Sequence, residues 1–365
     1  MPAPAPYSLA YKAPLEWLLD PADPEARLRT LREVLNRTDG DPDVMDARAR
    51  LLDSRAVTGI FDALKPDGTW GDLAKEDPVQ GTAWNLSLLL ALGVPPRDVR
   101  LVTAAQALLR ARQVTGTGTG QLWPEGAFSA SVEPADVASC VTGDDLALSL
   151  TVLGPIDENR RAVMWLLRRQ RHDGGWLHCH RWSWIARGAR LMPSRRLAWP
   201  EETDPAIRSC RYGTFRALRA LATLPEELRD DLVRRALTRA AEFFLARGVT
   251  GRLESPVTDA VPKVKSFNPG FALLGTPVRQ TVDMLAVARV LTDLGYGVDQ
   301  RLAPTVERIR ALQQPDGKWR CESGGPGMWP VEHQPVGSPS KRITVDAISL
   351  LRRVARSAGR ELEVG

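Results

Sequence analysis

Three aspartates recur at the same place in similar apolar segments of the chain. Asp144, Asp283 and Asp346 each lie two residues after a threonine, and each precedes a stretch rich in Leu, Ala or Val. Asp145 lies directly beside Asp144. If these segments are structural repeats, the carboxylates share one end of the molecule, and crowding raises the pKa of at least one of them. A carboxyl kept protonated in this way is a candidate general acid, and an ionised set is a candidate site for a divalent cation.

Helix capping explains the same aspartate pattern without any chemistry. An Asp in the first turn interacts well with the helix dipole, and its side chain accepts hydrogen bonds from free backbone N–H groups. Both interpretations remain open at the level of the sequence.

The four cysteines form a second set with chemical potential. Cys140, Cys179, Cys210 and Cys321 all lie between a Gly-Trp turn and the apolar segment that follows it, or at the start of that segment, and His180 adjoins Cys179. Thiolates and imidazole suit tetrahedral zinc, and four thiolates suit an iron–sulfur cluster. Because free cysteines are often buried as small hydrophobic residues, packing alone is the alternative.

Arginines take the position of the cysteines in other copies of the segment. Arg279 and Arg342 each lie two residues before the aligned threonine, where they could bind a diphosphate or a carboxylate, with Mg²⁺ as a possible companion of a diphosphate. Trp84 and Tyr212, in the first and third aligned segments, are the aromatic candidates for substrate contact. Surface ion pairing with the aspartates is the alternative role for the arginines.

The elements that must position these residues are helical repeats. Three copies of one turn occur, at Asp67-Gly68-Thr69-Trp70, Asp173-Gly174-Gly175-Trp176 and Asp316-Gly317-Lys318-Trp319. Five apolar segments, beginning near Thr82, Thr142, Tyr212, Thr281 and Thr344, predict buried inner helices. Amphipathic segments near 98–113, 157–171, 225–247 and 299–314 predict outer helices. The repeats predict an all-α chain in which residues 55–365 form one α/α toroid and residues 1–54 a helical segment packed on it; an open solenoid is the alternative.

Two of the turns carry a family resemblance. Gln170-Arg171-His172-Asp173-Gly174-Gly175-Trp176 and Gln314-Pro315-Asp316-Gly317-Lys318-Trp319 resemble the QW motif of squalene–hopene cyclases, and similar turns occur in protein prenyltransferase β subunits. The resemblance covers roughly residues 55–355 and implies a toroid with a central apolar cavity and an isoprenoid substrate. The Asp-x-Asp-Asp acid motif of those cyclases is absent, and Gly143-Asp144-Asp145 is the nearest stretch.

Composition limits the class of partner. The 365 residues contain 49 Lys and Arg against 44 Asp and Glu, interleaved along the chain, which indicates a solvated surface rather than a nucleic-acid interface. Without a long apolar run or a secretory leader, we expect a cytoplasmic protein without a membrane span. The oligomeric state stays open.

Three functions follow as hypotheses. The first is an isoprenoid cyclase-like enzyme that starts carbocation chemistry with an acidic Asp. The second is a zinc-dependent transferase or lyase, and the third is a non-enzymatic toroid that binds a lipid or a protein.

Overall fold

Helices account for nearly all regular structure in the part of the chain that can be described. The structure, a computed structural model, describes residues 10–73, 81–115, 125–129, 137–177, 209–250, 271–276, 282–324 and 335–362. Apart from isolated bridges, the only strands in these ranges are a parallel pair of two residues each, β1 (Gly275–Thr276) and β2 (Ser323–Gly324). The protein is therefore all-α, as the sequence predicts.

Inner and outer helices alternate along the chain. The inner helices are α5 (Thr82–Leu92), α7 (Ser139–Leu153), α9 (Arg211–Thr223), α11 (Met284–Leu291) and α13 (Lys341–Ser357). The outer helices are α4 (Arg55–Asp62), α6 (Val99–Arg112), α8 (Asp157–Arg169), α10 (Asp231–Arg247) and α12 (Ala303–Ala311). The N-terminal part adds α1 (Leu15–Leu18), α2 (Pro24–Arg29), a π-helical turn (Thr30–Val34) and α3 (Pro42–Leu52), and a second π-helical turn (Thr292–Tyr296) continues α11. The predicted outer segments match α6, α8, α10 and α12, each within a few residues except at the N-terminus of α10, because a short 3₁₀ turn (Glu226–Leu228) precedes it.

The inner helices form a closed ring. Each contacts the next in the order α5, α7, α9, α11, α13, and α13 contacts α2 and the π-helical turn after it. Leu28 of α2 lies against the end of α5 at Gly93, and Arg342 of α13 donates to the carbonyl oxygen of Ala91 at 3.4 Å. The ring and its outer helices make up the α/α toroid that the repeats predict.

A tryptophan and a threonine connect three of the outer helices, α4, α8 and α12, to the next inner helix. Trp70, Trp176 and Trp319 are buried, and each indole N–H donates to the carbonyl oxygen ten residues earlier. The backbone N–H of the same tryptophan donates to the hydroxyl of a threonine on the following inner helix, namely Thr82, Thr214 or Thr344, at 2.9–3.0 Å. Phe128 and Thr142 repeat this contact at 3.0 Å without an indole. These contacts fix the register of α5, α7, α9 and α13 near the N-terminal end of each helix.

In the second and third turns a glutamine makes a further contact with the next unit of the ring. The side-chain amide of Gln170 donates to Ala236 of α10 at 2.8 Å, and that of Gln313 donates to the carbonyl oxygen of Lys12 at 2.6 Å. Gln313, rather than Gln314 of the QW-like stretch, is the residue that corresponds to Gln170, because it also lies six positions before the tryptophan. At the last turn, the carbonyl oxygen of Lys12 thus accepts the hydrogen bond that a residue of an outer helix accepts from Gln170.

Among the described residues, none of the helices combines the length and apolar character that crossing a bilayer requires.

Candidate functional site

Asp144 on α7 pairs with two arginines of the neighbouring inner helix. Gly143 allows α7 and α9 to approach so closely that a Cβ at this position would lie 2.6 Å from the carbonyl carbon of Arg216. At that separation Asp144 forms ion pairs with Arg216 and with Arg219, the latter at 2.6 Å. Arg216 also lies over the ring of Tyr212 and donates to its hydroxyl. Asp144 is therefore bound as a carboxylate between two helices.

Asp145 and Trp84 are also enclosed by protein. Asp145 is fully buried, with an oxygen 3.4 Å from the guanidinium of Arg112 on α6. Trp84 is buried on α5, and its indole N–H has no hydrogen-bond partner among the described residues. The helix α7 begins at Ser139, before the threonine of the repeat, so Asp144 and Asp145 lie in its second turn and do not cap it.

Asp283 is the one of the three predicted aspartates that caps a helix. One carboxylate oxygen accepts from the backbone N–H of Ala286 at 2.8 Å, and the other accepts from that of Gly275 at 3.1 Å. Burial raises the pKa of Asp283 to about 6, against the opposing effect of these two N–H donors. The charge of Asp346 contributes a smaller increase. Asp283 thus keeps a proton at a pH where an exposed carboxyl is ionised.

Asp346 belongs to a cycle of four charged side chains, which we call the ion-pair cycle: Asp346, Arg29, Glu33 and Arg289. Arg29 contacts Asp346 at 2.6 Å and Glu33 at 2.8 Å. Arg289 contacts the same Asp346 oxygen and also Glu33, the latter at 3.0 Å. Each charge therefore has two neighbours of opposite sign, from α2, the first π-helical turn, α11 and α13.

Electrostatics keep the carboxylates of the ion-pair cycle ionised. Burial alone would raise the pKa of Asp346, but the guanidinium groups of Arg289 and Arg29 outweigh it and hold that pKa well below its usual range. The pKa of Glu33 is lowered in the same way: burial raises it, and the two arginines more than compensate. The prediction that crowded aspartates would make Asp346 a proton donor is therefore wrong for this residue, because its nearest charged neighbours are cations.

Arg342 lies beside the ion-pair cycle on α13. Its guanidinium contacts Glu25 of α2 at 3.0 Å. Burial lowers the pKa of Arg342 and raises that of Glu25, although the opposite charges partly compensate each other. The predicted anion-binding arginine is thus partly buried, with 12% of its side chain exposed, and engaged with the N-terminal segment.

A cavity of about 740 Å³ adjoins these residues. Its walls come from α2, both π-helical turns, the end of α5, and one face of α13. Seven arginines and four carboxylates line it, which are Arg29, Arg32, Arg37, Arg289, Arg342, Arg353 and Arg356 with Glu33, Asp39, Asp293 and Asp346. The excess of arginine makes the cavity a candidate site for an anion.

Irregular backbone converges on the same cavity. Asn36 is the only residue other than glycine with a positive φ in the described ranges, at 54°, and it lines the cavity together with residues of both π-helical turns. Such turns are frequent at functional sites. Asn36 and Arg356 also line a second cavity of about 420 Å³, with Arg352 and Arg360 in its wall.

The described cysteines of the predicted metal site do not form a metal-binding group. Cys140, Cys210 and Cys321 are buried, and burial raises the pKa of the Cys210 thiol to about 11. No three His, Cys, Asp or Glu side chains among the described residues are grouped so that they could hold a metal ion. Cys179, His180 and Arg279 lie outside the described residues.

Sequence reasoning missed three members of the ion-pair cycle, Arg29, Glu33 and Arg289. One signal was available, because Arg289 interrupts the apolar pattern of an inner helix, and a buried arginine requires an anionic partner. Arg29 and Glu33 lie in the N-terminal segment, where no repeat sets the register.

No family model and no curated protein matches the chain. Solved structures do. A protein from Actinoplanes is 17% identical, with a TM-score of 0.40, over 91% of this chain and 89% of that one. Type II terpene cyclase MstE from Scytonema is 18% identical, with a TM-score of 0.42, over 92% of this chain and 88% of that one. A variant of MstE in complex with geranylgeranyl dihydroxybenzoate is 16% identical, with a TM-score of 0.41, over 92% and 87% of the two chains.

Proposed function

We propose that the protein is an isoprenoid cyclase-like enzyme whose substrate carries an anionic head group, and that this head group binds in the arginine-rich cavity. The observation that carries the proposal is the lining of that cavity, where seven arginines outnumber four carboxylates. The guanidinium group presents a planar fork of donors that matches carboxylate and phosphate oxygens. The volume of about 740 Å³ falls within the range of small-molecule sites.

Apolar residues line part of the same cavity. Leu28, Leu90 and Ala91 contribute apolar side chains beside the arginines. An amphiphilic ligand suits this combination, because its charged end meets the guanidinium groups while its hydrocarbon chain contacts the apolar wall. The QW-like turns support an isoprenoid as the hydrocarbon chain, since the resemblance implies such substrates.

Asp283 is the candidate acid in this proposal. It is the N-cap of α11, the helix that carries Arg289 to the cavity, and the two residues lie six positions apart, roughly 9 Å along the axis. Its raised pKa, about 6, favours a carboxyl that can donate a proton. The proton would add to a carbon–carbon double bond, and loss of a proton from the cyclised cation would restore the acid. Asp144 and Asp346 suit this role less, because arginines hold both as carboxylates.

The experiment has two stages. Calorimetric titration with inorganic diphosphate and with geranylgeranyl diphosphate measures binding, and incubation with the latter followed by mass spectrometry detects cyclised isomers. We expect binding in the wild type, weaker binding in Arg289→Gln, and retained binding without product in Asp283→Asn. Failure of the wild-type protein to bind either compound at millimolar concentration would refute the proposal.

Non-enzymatic binding of the same ligand class is the second candidate. One observation favours it: all four carboxylates that line the cavity are in ion pairs, so none of them is placed as a free acid. Binding of geranylgeranyl diphosphate without any product, in the wild type and in Asp283→Asn alike, would identify this function. The zinc-dependent alternative has no comparable support among the described residues.

A further inference from the structure

The ion-pair cycle neutralises two of the arginines that the cavity would offer to an anion. Arg29 and Arg289 each contact both Asp346 and Glu33, so every guanidinium of the cycle already has two carboxylate partners. Nη1 of Arg29 has no hydrogen-bond partner among the described residues, but an incoming anion can take the other paired donors of these two arginines only by replacing carboxylates that the protein itself supplies. The exchange of one carboxylate for another of equal charge yields little net gain in pairing.

The rest of the cavity keeps an excess of positive charge. Five further arginines line it, against two further carboxylates, Asp39 and Asp293. Four of these arginines are in ion pairs of their own: Arg32 with Asp39, Arg37 with Asp41, Arg342 with Glu25 and Arg353 with Asp293. Even with Glu25 and Asp41 counted, the arginines outnumber the carboxylates. A head group with two or more negative charges could contact the cycle and these arginines at once, and so outweigh the internal carboxylates. A singly charged head group has no such second contact.

Ser349 provides an independent sign that the cavity accommodates a polar ligand beside the cycle. It lies one helical turn after Asp346 on α13, lines the cavity and is buried. Its hydroxyl oxygen has no hydrogen-bond partner among the described residues. A buried hydroxyl normally has a hydrogen-bond partner. An anionic head group in the cavity would accept a hydrogen bond from Ser349.

We propose that Asp346, assisted by Glu33, is a built-in competitor that restricts the cavity to head groups with at least two negative charges. The proposal rests on the proposed function, since it assumes that the cavity binds an anion. In the unliganded protein the two carboxylates occupy Arg29 and Arg289, and a polyanionic head group displaces them. Asp346 is thus a specificity-determining residue rather than an acid.

The test compares inorganic diphosphate with acetate as probes, by calorimetric titration of the intact protein at low salt. The variants are Asp346→Asn and Glu33→Gln, which keep the side-chain shape and remove the charge. Asp46→Asn is the control, because it removes the same charge from an exposed ion pair with Arg50 on α3, and neither residue lines the cavity.

We expect the wild type to bind diphosphate and to bind acetate too weakly to measure. Asp346→Asn should bind both more tightly, by about ten- to a hundredfold, so that acetate binding becomes measurable. Glu33→Gln should shift both affinities in the same direction and serves as the test if Asp346→Asn does not fold. Asp46→Asn should change either affinity by no more than about threefold.

Three outcomes would overturn the proposal. Unchanged affinities in both Asp346→Asn and Glu33→Gln, with diphosphate bound by the wild type, would refute the competitor role and leave the proposed function intact. An equal gain in Asp46→Asn would show a general effect of net charge instead of a role for the cycle. Absence of diphosphate binding in every variant would refute the anion site itself, and the proposed function with it.

Discussion

The carboxylate of Asp283 accepts a hydrogen bond from the backbone N–H of Ala286 at 2.8 Å and thereby caps α11. This contact is structural, yet the same side chain is buried enough for its pKa to rise to about 6. Folding therefore takes an acidic group from water into a site where it keeps its proton over a wider range of pH. Stability must depend on pH as a result.

We predict that Asp283→Asn changes the pH dependence of stability between pH 4 and 6. In that range the folded state binds the proton and the unfolded state does not, so Asp283 lowers the free energy of unfolding as the pH rises from its unfolded pKa to its folded pKa. Asn cannot ionise, so the variant lacks this decline. Relative to the wild type, its stability should rise by about 1–3 kcal/mol from pH 4 to pH 7.

Urea unfolding at several pH values measures the effect. Asp316→Asn is the control, since Asp316 also interacts with a backbone N–H but lies in an exposed turn. A constant difference between Asp283→Asn and the wild type over this pH range would contradict the raised pKa.

Gly143 allows the close contact between α7 and α9, so a larger residue at this position should destabilise the protein. In Gly143→Ala the new Cβ would lie 2.6 Å from the carbonyl carbon of Arg216, so the two helices must move apart. We expect a loss of about 1–3 kcal/mol in the free energy of unfolding, despite the better helix propensity of alanine. Gly59→Ala is the matched control in α4, because a Cβ at that position would have no atom within 4 Å. It should be neutral or stabilising by up to about 1 kcal/mol, and equal losses in both variants would disprove the steric explanation.

Thr344 tests the connection between the last turn and α13. Thr344→Val keeps the shape of the side chain but removes the oxygen that accepts from the backbone N–H of Trp319 at 3.0 Å. Because this N–H is buried, we expect a loss of about 1–3 kcal/mol in denaturant unfolding, and Thr344→Ser should recover part of it. Thr238→Val, where the hydroxyl is exposed on α10, should cost less than about 0.5 kcal/mol. A cost for Thr344→Val as small as that of the control would mean that the contact has no energetic role.

The reactivity of the Cys210 thiol distinguishes a packing role from metal binding. The thiol is fully buried, and burial raises its pKa to about 11, so little thiolate exists at pH 8. Alkylation by iodoacetamide at pH 8, located by mass spectrometry, should be slow in the native protein and fast in urea. Rapid native alkylation, or zinc that is lost on Cys210→Ser, would favour the metal hypothesis instead.

The repeats were predictable because periodic apolar residues and turn residues are local features. The Asp-Gly-x-Trp turns and the threonine starts indicate the order of inner and outer helices. The register of the third segment was wrong by two residues, because Thr214, and not Tyr212, makes the contact with Trp176 that Thr142 makes with Phe128. The threonine starts also put Asp144 and Asp346 at equivalent positions. Their surroundings nevertheless differ, because Arg216 comes from the neighbouring inner helix and Arg29 from the N-terminal segment.

The cavity could not be predicted, because its walls come from the N-terminal segment and from different repeats. Its charge pattern combines residues about 300 positions apart, and a repeat in the sequence does not encode contacts between different repeats. Arginines within apolar inner helices, such as Arg216 and Arg289, were the best local indication that ion pairs lie inside the ring.

The contact between Gln313 and Lys12 has a consequence for how the protein is made. This contact joins the N-terminal segment to the last turn without a covalent bond. Lys341 of α13 extends the junction by pairing with Asp23 at 3.3 Å. During synthesis the N-terminal segment emerges first, but its partners on the last turn and the last inner helix follow some 300 residues later. The junction can therefore form only after α13 has been synthesised. The wall of the arginine-rich cavity combines α2 with α13, so the cavity is complete only when this junction has formed.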